Sequence, residues 1–221
     1  MNYINQKLLA AVFVIGLSLT MTVRAEEKEY QTFSLTAEAG STGLGGSLGI
    51  RFSDHLGLRV GGHFLDFDYD GEVEGEEYTA NLDMQSIPVA IDIFTSKKGS
   101  FRITCGALLN NKFDFSGTTP ITQVELNGNT YNSALSLELE REDIAPFITI
   151  GGTLYFNDKK NIGLSFEGGV AYMGEPDITL TSIAGDPLAP ADVAAEIDAI
   201  KDSSTALKFH PIFKIGFTVS F

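Results

Sequence analysis

The sequence predicts an all-β fold: an eight-stranded antiparallel transmembrane β-barrel with a short helix in its last extracellular loop. Three observations carry this. Apolar residues recur at every second position through most of the chain, the period of a strand with one apolar face. Several of these runs exceed the five or six residues usual for soluble strands and match the 9–11 a membrane-spanning strand needs. Short and long connections take turns along the sequence, as periplasmic turns and extracellular loops do in such barrels.

The chain has 221 residues. Residues 1–25 read as a cleaved signal peptide: Lys7, then the apolar run Leu8–Leu17, then Val23-Arg24-Ala25 at the cut;. That run is shorter than a membrane-spanning helix requires. Residues 26–221 read as a single outer-membrane barrel domain, which places the chain in the cell outer membrane.

The last strand is the clearest. Leu207, Phe209, Pro211, Phe213, Ile215, Phe217, Val219 and Phe221 alternate with a mostly polar set that includes Lys208, His210 and Lys214. Earlier strands follow Phe33–Ala39, Leu44–Arg51, Leu56–Phe64, Ile87–Ile93, Phe101–Leu109, Pro146–Gly152 and Leu164–Tyr172. Gly40–Gly43 reads as a tight turn, and Phe52–His55, Ser96–Gly99 and Asn157–Asn161 as short ones. Residues 70–78, 115–133 and 182–206 read as long loops. Two phase breaks stand out. Leu82 and Met84 fall out of step with Ile87–Ile93, and Leu135, Leu137 and Leu139 with Ile144–Ile150. A β-bulge near Ser86 and a break across Glu140–Asp143 account for them.

A strand edge in lipid leaves backbone groups unpaired at several kcal/mol each, so the sheet must close. Eight strands leave an interior that side chains can fill. The inward set contains Glu38, Arg51, Arg59, Asp92, Arg102, Glu167, Lys208, His210 and Lys214, an interior charge network and candidate constriction. Such charges are costly unless paired.

The chain resembles a family of small Gram-negative outer-membrane barrel proteins, porin-like and loosely similar to CarO-type and OmpW-type barrels. The resemblance is carried by Ser41-Thr42-Gly43-Leu44-Gly45, His55–Gly61, Leu126-Asn127-Gly128-Asn129-Thr130-Tyr131, Ile144–Gly151, Phe166–Pro176 and His210–Phe217. It implies the barrel fold and brings no catalytic or ligand-binding residues. The chain departs from it in lacking Trp and in ending Ser220-Phe221.

Pro190–Asp202 places Val193, Ile197 and Ile200 on one side of a helix, with Asp192 as a possible cap. The expectation is a helix over or inside the extracellular mouth. Asp66, Asp68, Asp70, Glu72, Glu74, Glu76 and Glu77 form an acidic outer loop, and Glu138, Glu140, Glu142 and Asp143 a second cluster. Such clusters fit a solvated rim, divalent cations, or lipopolysaccharide bridged by them. Outer-membrane lipid is the expected surrounding, and periplasmic chaperones with the barrel-assembly machinery the route of insertion.

A net charge of −14 argues against nucleic acid;. One cysteine, Cys105 on the lipid-facing side, excludes an internal disulfide and a multi-cysteine zinc site;. His55, His63 and His210 lack an identifiable serine partner, and no phosphate-loop, dinucleotide or zinc-protease motif is present. No enzyme activity, cofactor or metal centre is therefore expected. Two functions remain open: a small passive channel with a narrow charged interior, and a non-conducting structural or surface-binding barrel that acts through its acidic loops.

Overall fold

The computed structural model describes residues 32–73, 76–95, 100–203 and 208–221. The signal-peptide reading, the Ser96–Gly99 turn and Glu74 lie outside them. The strands are β1 (Phe33–Gly40), β2 (Gly43–Arg51), β3 (Leu56–Val73), β4 (Glu76–Phe94), β5 (Arg102–Thr118), β6 (Thr122–Leu126), β7 (Asn129–Glu140), β8 (Ala145–Tyr155), β9 (Ile162–Tyr172), β10 (Asp177–Gly185) and β11 (Phe209–Ser220). The helix α1 is Pro190–Ser203.

Eight strands close a barrel in the order β1-β2-β3-β4-β5-β8-β9-β11, with β11 returning to β1. All its pairings are antiparallel. The chain enters at Phe33 and leaves at Phe221 on the same end, where Phe33 N and Phe221 O pair at 3.1 Å. That turn end also holds the connections at residues 52–55 and 156–161.

The outer wall is apolar. Leu58, Val60, Ile91, Ile148, Ile150, Ile215 and Phe217 are all exposed. In water that would be an interaction surface of unusual size; around a closed barrel it is the surface that meets hydrocarbon. From Leu56 to Phe64 the band spans about nine residues, or roughly 23 Å for strands tilted by about 40°. That matches the apolar height of membrane barrels. Phe52, Phe101, Phe156 and Phe221 ring the turn end, and Tyr172 packs edge-on against Phe209 at 5.5 Å at the other. Phenylalanine and tyrosine thus supply the interfacial aromatics. Among the described residues no helix is long and apolar enough to cross a membrane.

Beyond the rim, one side of the wall continues as a sheet: upper β3, upper β4, upper β5, then β7 and β10. Two of the expected long loops are therefore mostly strand. β3 and β4 run to a close connection at Val73 and Glu76. Residues 115–133 form the end of β5 and the β6–β7 hairpin, closed by Asn127 and Gly128 at φ 50° and 80°. Asn-Gly with both φ positive is the turn whose twist suits a two-residue hairpin.

The phase breaks have a common cause. Along β3, Arg59 and His63 point inward, and the same parity continues into Leu65, Phe67 and Tyr69. In the bilayer the apolar residues face out; above the rim they face in, because the solvent has changed from lipid to water. The register shift near Ser86 is present, and its additional residue lies on β5, where Asn110 takes φ 47°. The break after Glu140 separates β7 from β8.

The β1–β2 turn needs Gly43. Its φ is +97°, and an added Cβ would lie 2.3 Å from the Phe64 carbonyl oxygen. Gly43→Val should destabilise the folded barrel by about 1–3 kcal/mol, read as a lower urea midpoint and partial loss of the heat-modifiable folded band.

Candidate functional site

The barrel interior is layered. Nearest the turn end lies a polar vestibule, a cavity of about 60 Å³ bordered by Thr36, Arg51, Arg59, Asp92, Tyr155 and Thr218. Arg51 stacks over the Phe94 ring at 4.0 Å and donates to the carbonyls of Ser53 and Asp54. It braces the turn end and stands apart from the charges deeper in.

Above it sits the charge layer. Arg59 donates to Glu167 at 2.6 Å, to Asp92 at 3.1 Å and to the Thr104 hydroxyl at 3.1 Å. Arg102 lies 3.3 Å from Glu167 and 3.6 Å from Asp92. Lys214 lies between Glu167 at 3.5 Å and Glu38 at 3.6 Å. Thr104 and Thr149 donate to Asp92 and Glu167 at 2.6 and 2.7 Å. Three acids face three bases, so the layer is electrically balanced before its histidine is counted. Its side chains are only 3–11% exposed. At that burial the pairs must be well made, since an unpaired charge costs several kcal/mol.

The structure thus brings six of the nine expected interior charges together: Glu38, Arg59, Asp92, Arg102, Glu167 and Lys214. The other three lie elsewhere. Lys208 is at the outer end and pairs with Glu175 at 2.6 Å. His210 sits at the outer rim, its Nε2 3.2 Å from the Ser41 carbonyl and its ring 6.2 Å from Phe113. Sequence reasoning left out His63. It is 3% exposed, and its Nε2 donates to Glu38 Oε1 at 3.0 Å. Its parity with Arg59 is the signal that finds it. Gly45 stands across from it, where an added Cβ would lie 2.6 Å from His63 Cδ2.

An apolar layer caps the charges. Ala90, Leu108, Ala145, Phe147, Met173 and Ile212 are buried together, with Phe113 packed on them. Between the two layers is space of about 10 Å³ beside Glu38, Arg59, Phe147 and Lys214, room for about one water.

The outer sheet has two unlike faces. Phe67, Leu82, Phe115, Leu139 and Ile178 stand side by side across five strands on the inner face. On the opposite face Asp66, Asp83 and Asp114 align, with Lys112 2.7 Å from Asp83 and 3.0 Å from Asp114. Asp68, Asp70 and Glu72 continue the acidic row of β3, and Glu77 pairs in register with Glu72, beside Glu76 opposite Val73. Among the described residues no three acidic, His or Cys side chains converge as metal ligands.

Helix α1 lies against β10 and β6. Its half-buried residues Val193, Ile197 and Ile200 therefore belong to a helix docked on the outer sheet, where the sequence pattern had suggested the barrel mouth. Ala189 caps it through its carbonyl, and Pro190 opens it;. Asp192 falls in the first turn and reaches the β6–β7 hairpin. Its carboxylate accepts from Tyr131 at 2.5 Å, Asn129 at 2.8 Å and Asn127 at 3.0 Å. These donors, Tyr131 first, hold the Asp192 carboxyl below its ordinary range.

The chain matches no protein-family model and no curated protein. Among solved structures it is similar to CarO2 of Acinetobacter baumannii, at 23% identity over 86% of this chain and 98% of that one, with TM-score 0.63. It is likewise similar to CarO of Acinetobacter baumannii, at 22% identity over 89% of this chain and all of that one (100%), with TM-score 0.60. The likeness establishes the shared barrel fold.

Two outcomes follow from this geometry. Glu167→Gln leaves three buried bases with two acids and should cost about 3–5 kcal/mol, measured by urea unfolding of the lipid-inserted barrel. The Asp192 clasp should be intact at neutral pH and lost as pH falls through its lowered pKa, because only the carboxylate accepts all three bonds. Asp192→Asn should speed amide exchange in α1 about tenfold at pH 7 and remove its acid sensitivity.

Proposed function

We propose that this chain is an outer-membrane barrel, closed along its axis at rest, that works through the sheet it carries outside the bilayer. One observation supports this above the others. Two consecutive layers fill the barrel, a balanced charge layer whose side chains are almost wholly buried and an apolar cap, and the space between them among the described residues is about 10 Å³. The apolar wall and the aromatic ends support the membrane setting, and the CarO-like fold fits it. The wall of β3–β4–β5–β7–β10 with docked α1 is more structure than loop closure requires. Its acidic face is open to water, to divalent ions and to lipopolysaccharide.

The porin-like reading, a small passive channel for small solutes, is the second one. The polar vestibule favours it, since a closed structural barrel needs no wet entrance. Conduction would require Phe147 and Met173 to part from Ile212, and the charge layer to take up a solute in place of its own partners.

Planar-bilayer recording decides between them. The wild type, folded and heat-modifiable, should give no reproducible steps. Phe147→Ala with Met173→Ala thins the apolar cap and should bring flickering conductance. Removal of residues 186–202 should change nothing, since α1 docks on the outer sheet. Reproducible steps in the wild type would establish the channel instead.

A further inference from the structure

The outer sheet ends in a strand with one edge unused. β2 leaves β3 at the Leu44–Phe64 pair, and β3 continues to Val73 with only β4 beside it. Among the described residues, no other strand meets residues 65–72 from that side. The free edge is about eight residues long, or roughly 27 Å, the length of a good strand. Proteins in water usually cover, shorten or bend such edges, because the open row of N–H and C=O groups recruits another chain.

The side chains along this edge say what kind of chain it suits. Asp66, Asp68, Asp70 and Glu72 stand exposed on one face. No cation pairs with Asp66, Asp68 or Asp70 among the described residues; Asn81 donates to Asp68, and Lys112 is engaged by Asp83 and Asp114. On the other face the apolar row that is buried at Ile178 opens progressively toward this edge, and Phe67 and Tyr69 are 55% and 54% exposed. A strand added here would place its own alternate residues directly beside these two sets. A second copy of the chain would bring carboxylates against carboxylates, which disfavours self-pairing. The complementary chain carries cations at every second position and apolar residues between them.

We propose that the free edge of β3 at Leu65–Glu72 binds an extended cationic peptide as an added strand. Its lysines or arginines lie beside Asp66, Asp68 and Asp70, and its apolar residues beside Phe67 and Tyr69. Backbone bonds supply the attachment and the alternation supplies the selectivity, as in other strand-addition sites. This rests on the reading that the outer sheet is the working surface, and names its partner.

The test uses the full folded chain in lipid nanodiscs. The probe is a capped synthetic peptide of alternating lysine and valine. Two controls accompany it: the same peptide with glutamate for lysine, and the lysine peptide N-methylated at every second residue, which keeps its charge but cannot complete the backbone ladder. The lysine peptide should bind saturably and slow the exchange of alternate amides within residues 65–72. The glutamate peptide should not bind, and the N-methylated one should bind about tenfold more weakly. The Asp66→Asn, Asp68→Asn, Asp70→Asn triple variant should also lose about tenfold in affinity. Absence of saturable binding to the wild type would overturn the proposal. So would undiminished binding of the N-methylated peptide, since that is ionic attraction without strand addition, and this arm needs no altered protein. Channel steps in the wild type would overturn the functional reading above and leave this measurement to decide the edge by itself.

Discussion

The contact between Arg59 and Glu167 in the middle of the barrel is the constraint on which the rest depends. Both groups are cut off from water on most sides, and neither is stable there without the other. Around them the barrel supplies Asp92, Arg102, Lys214, Glu38 and His63 as further partners, with Thr104 and Thr149 donating to Asp92 and Glu167. They come from seven of the eight barrel strands: β1, β3, β4, β5, β8, β9 and β11 all contribute. Closure of the barrel and completion of the charge layer are therefore the same event. A strand out of register by one residue would turn its charge into lipid, so the layer also fixes register.

The second organising fact is a change of solvent at the outer rim. Along β3 the inward face carries Arg59 and His63 in the bilayer and Leu65, Phe67 and Tyr69 above it. The outward face changes the other way, from Leu58 and Val60 to Asp66 and Asp68. One uninterrupted strand serves both environments, because alternation only says that two faces differ and the surroundings decide which is apolar. The outer sheet continues the barrel wall on one side only. The β1–β2 side stops at the tight turn beside Gly43, which leaves upper β3, among the described residues, without a strand on that side.

These two facts explain what the sequence disclosed and what it withheld. All eight barrel strands are legible, since lipid enforces strict alternation over long runs such as Phe209–Phe221. The same criterion hid the outer strands. Asp66–Glu77 and the stretch from Phe115 read as loops because the apolar phase slips there and acidic residues crowd in, although Asn127-Gly128 is a strong hairpin signal. Six of the interior charges were placed by parity alone. His63 shares that parity, and its partner Glu38 lies on another strand, 25 residues earlier. Lys208 has the right parity at the wrong height, and parity carries no information on depth. The docking of α1 could not be read locally, since the donors to Asp192 lie some sixty residues earlier, in the hairpin tip.

The most direct measurement of the central claim is proton NMR of the Arg59 guanidinium in the lipid-inserted barrel, assigned by comparison with Arg59→Lys. A closed, paired charge layer predicts separate, slowly exchanging Nη protons at neutral pH. A single averaged signal in fast exchange with water would mean a wet, loosely paired interior, and would contradict both the proposed lock on register and the closed axis.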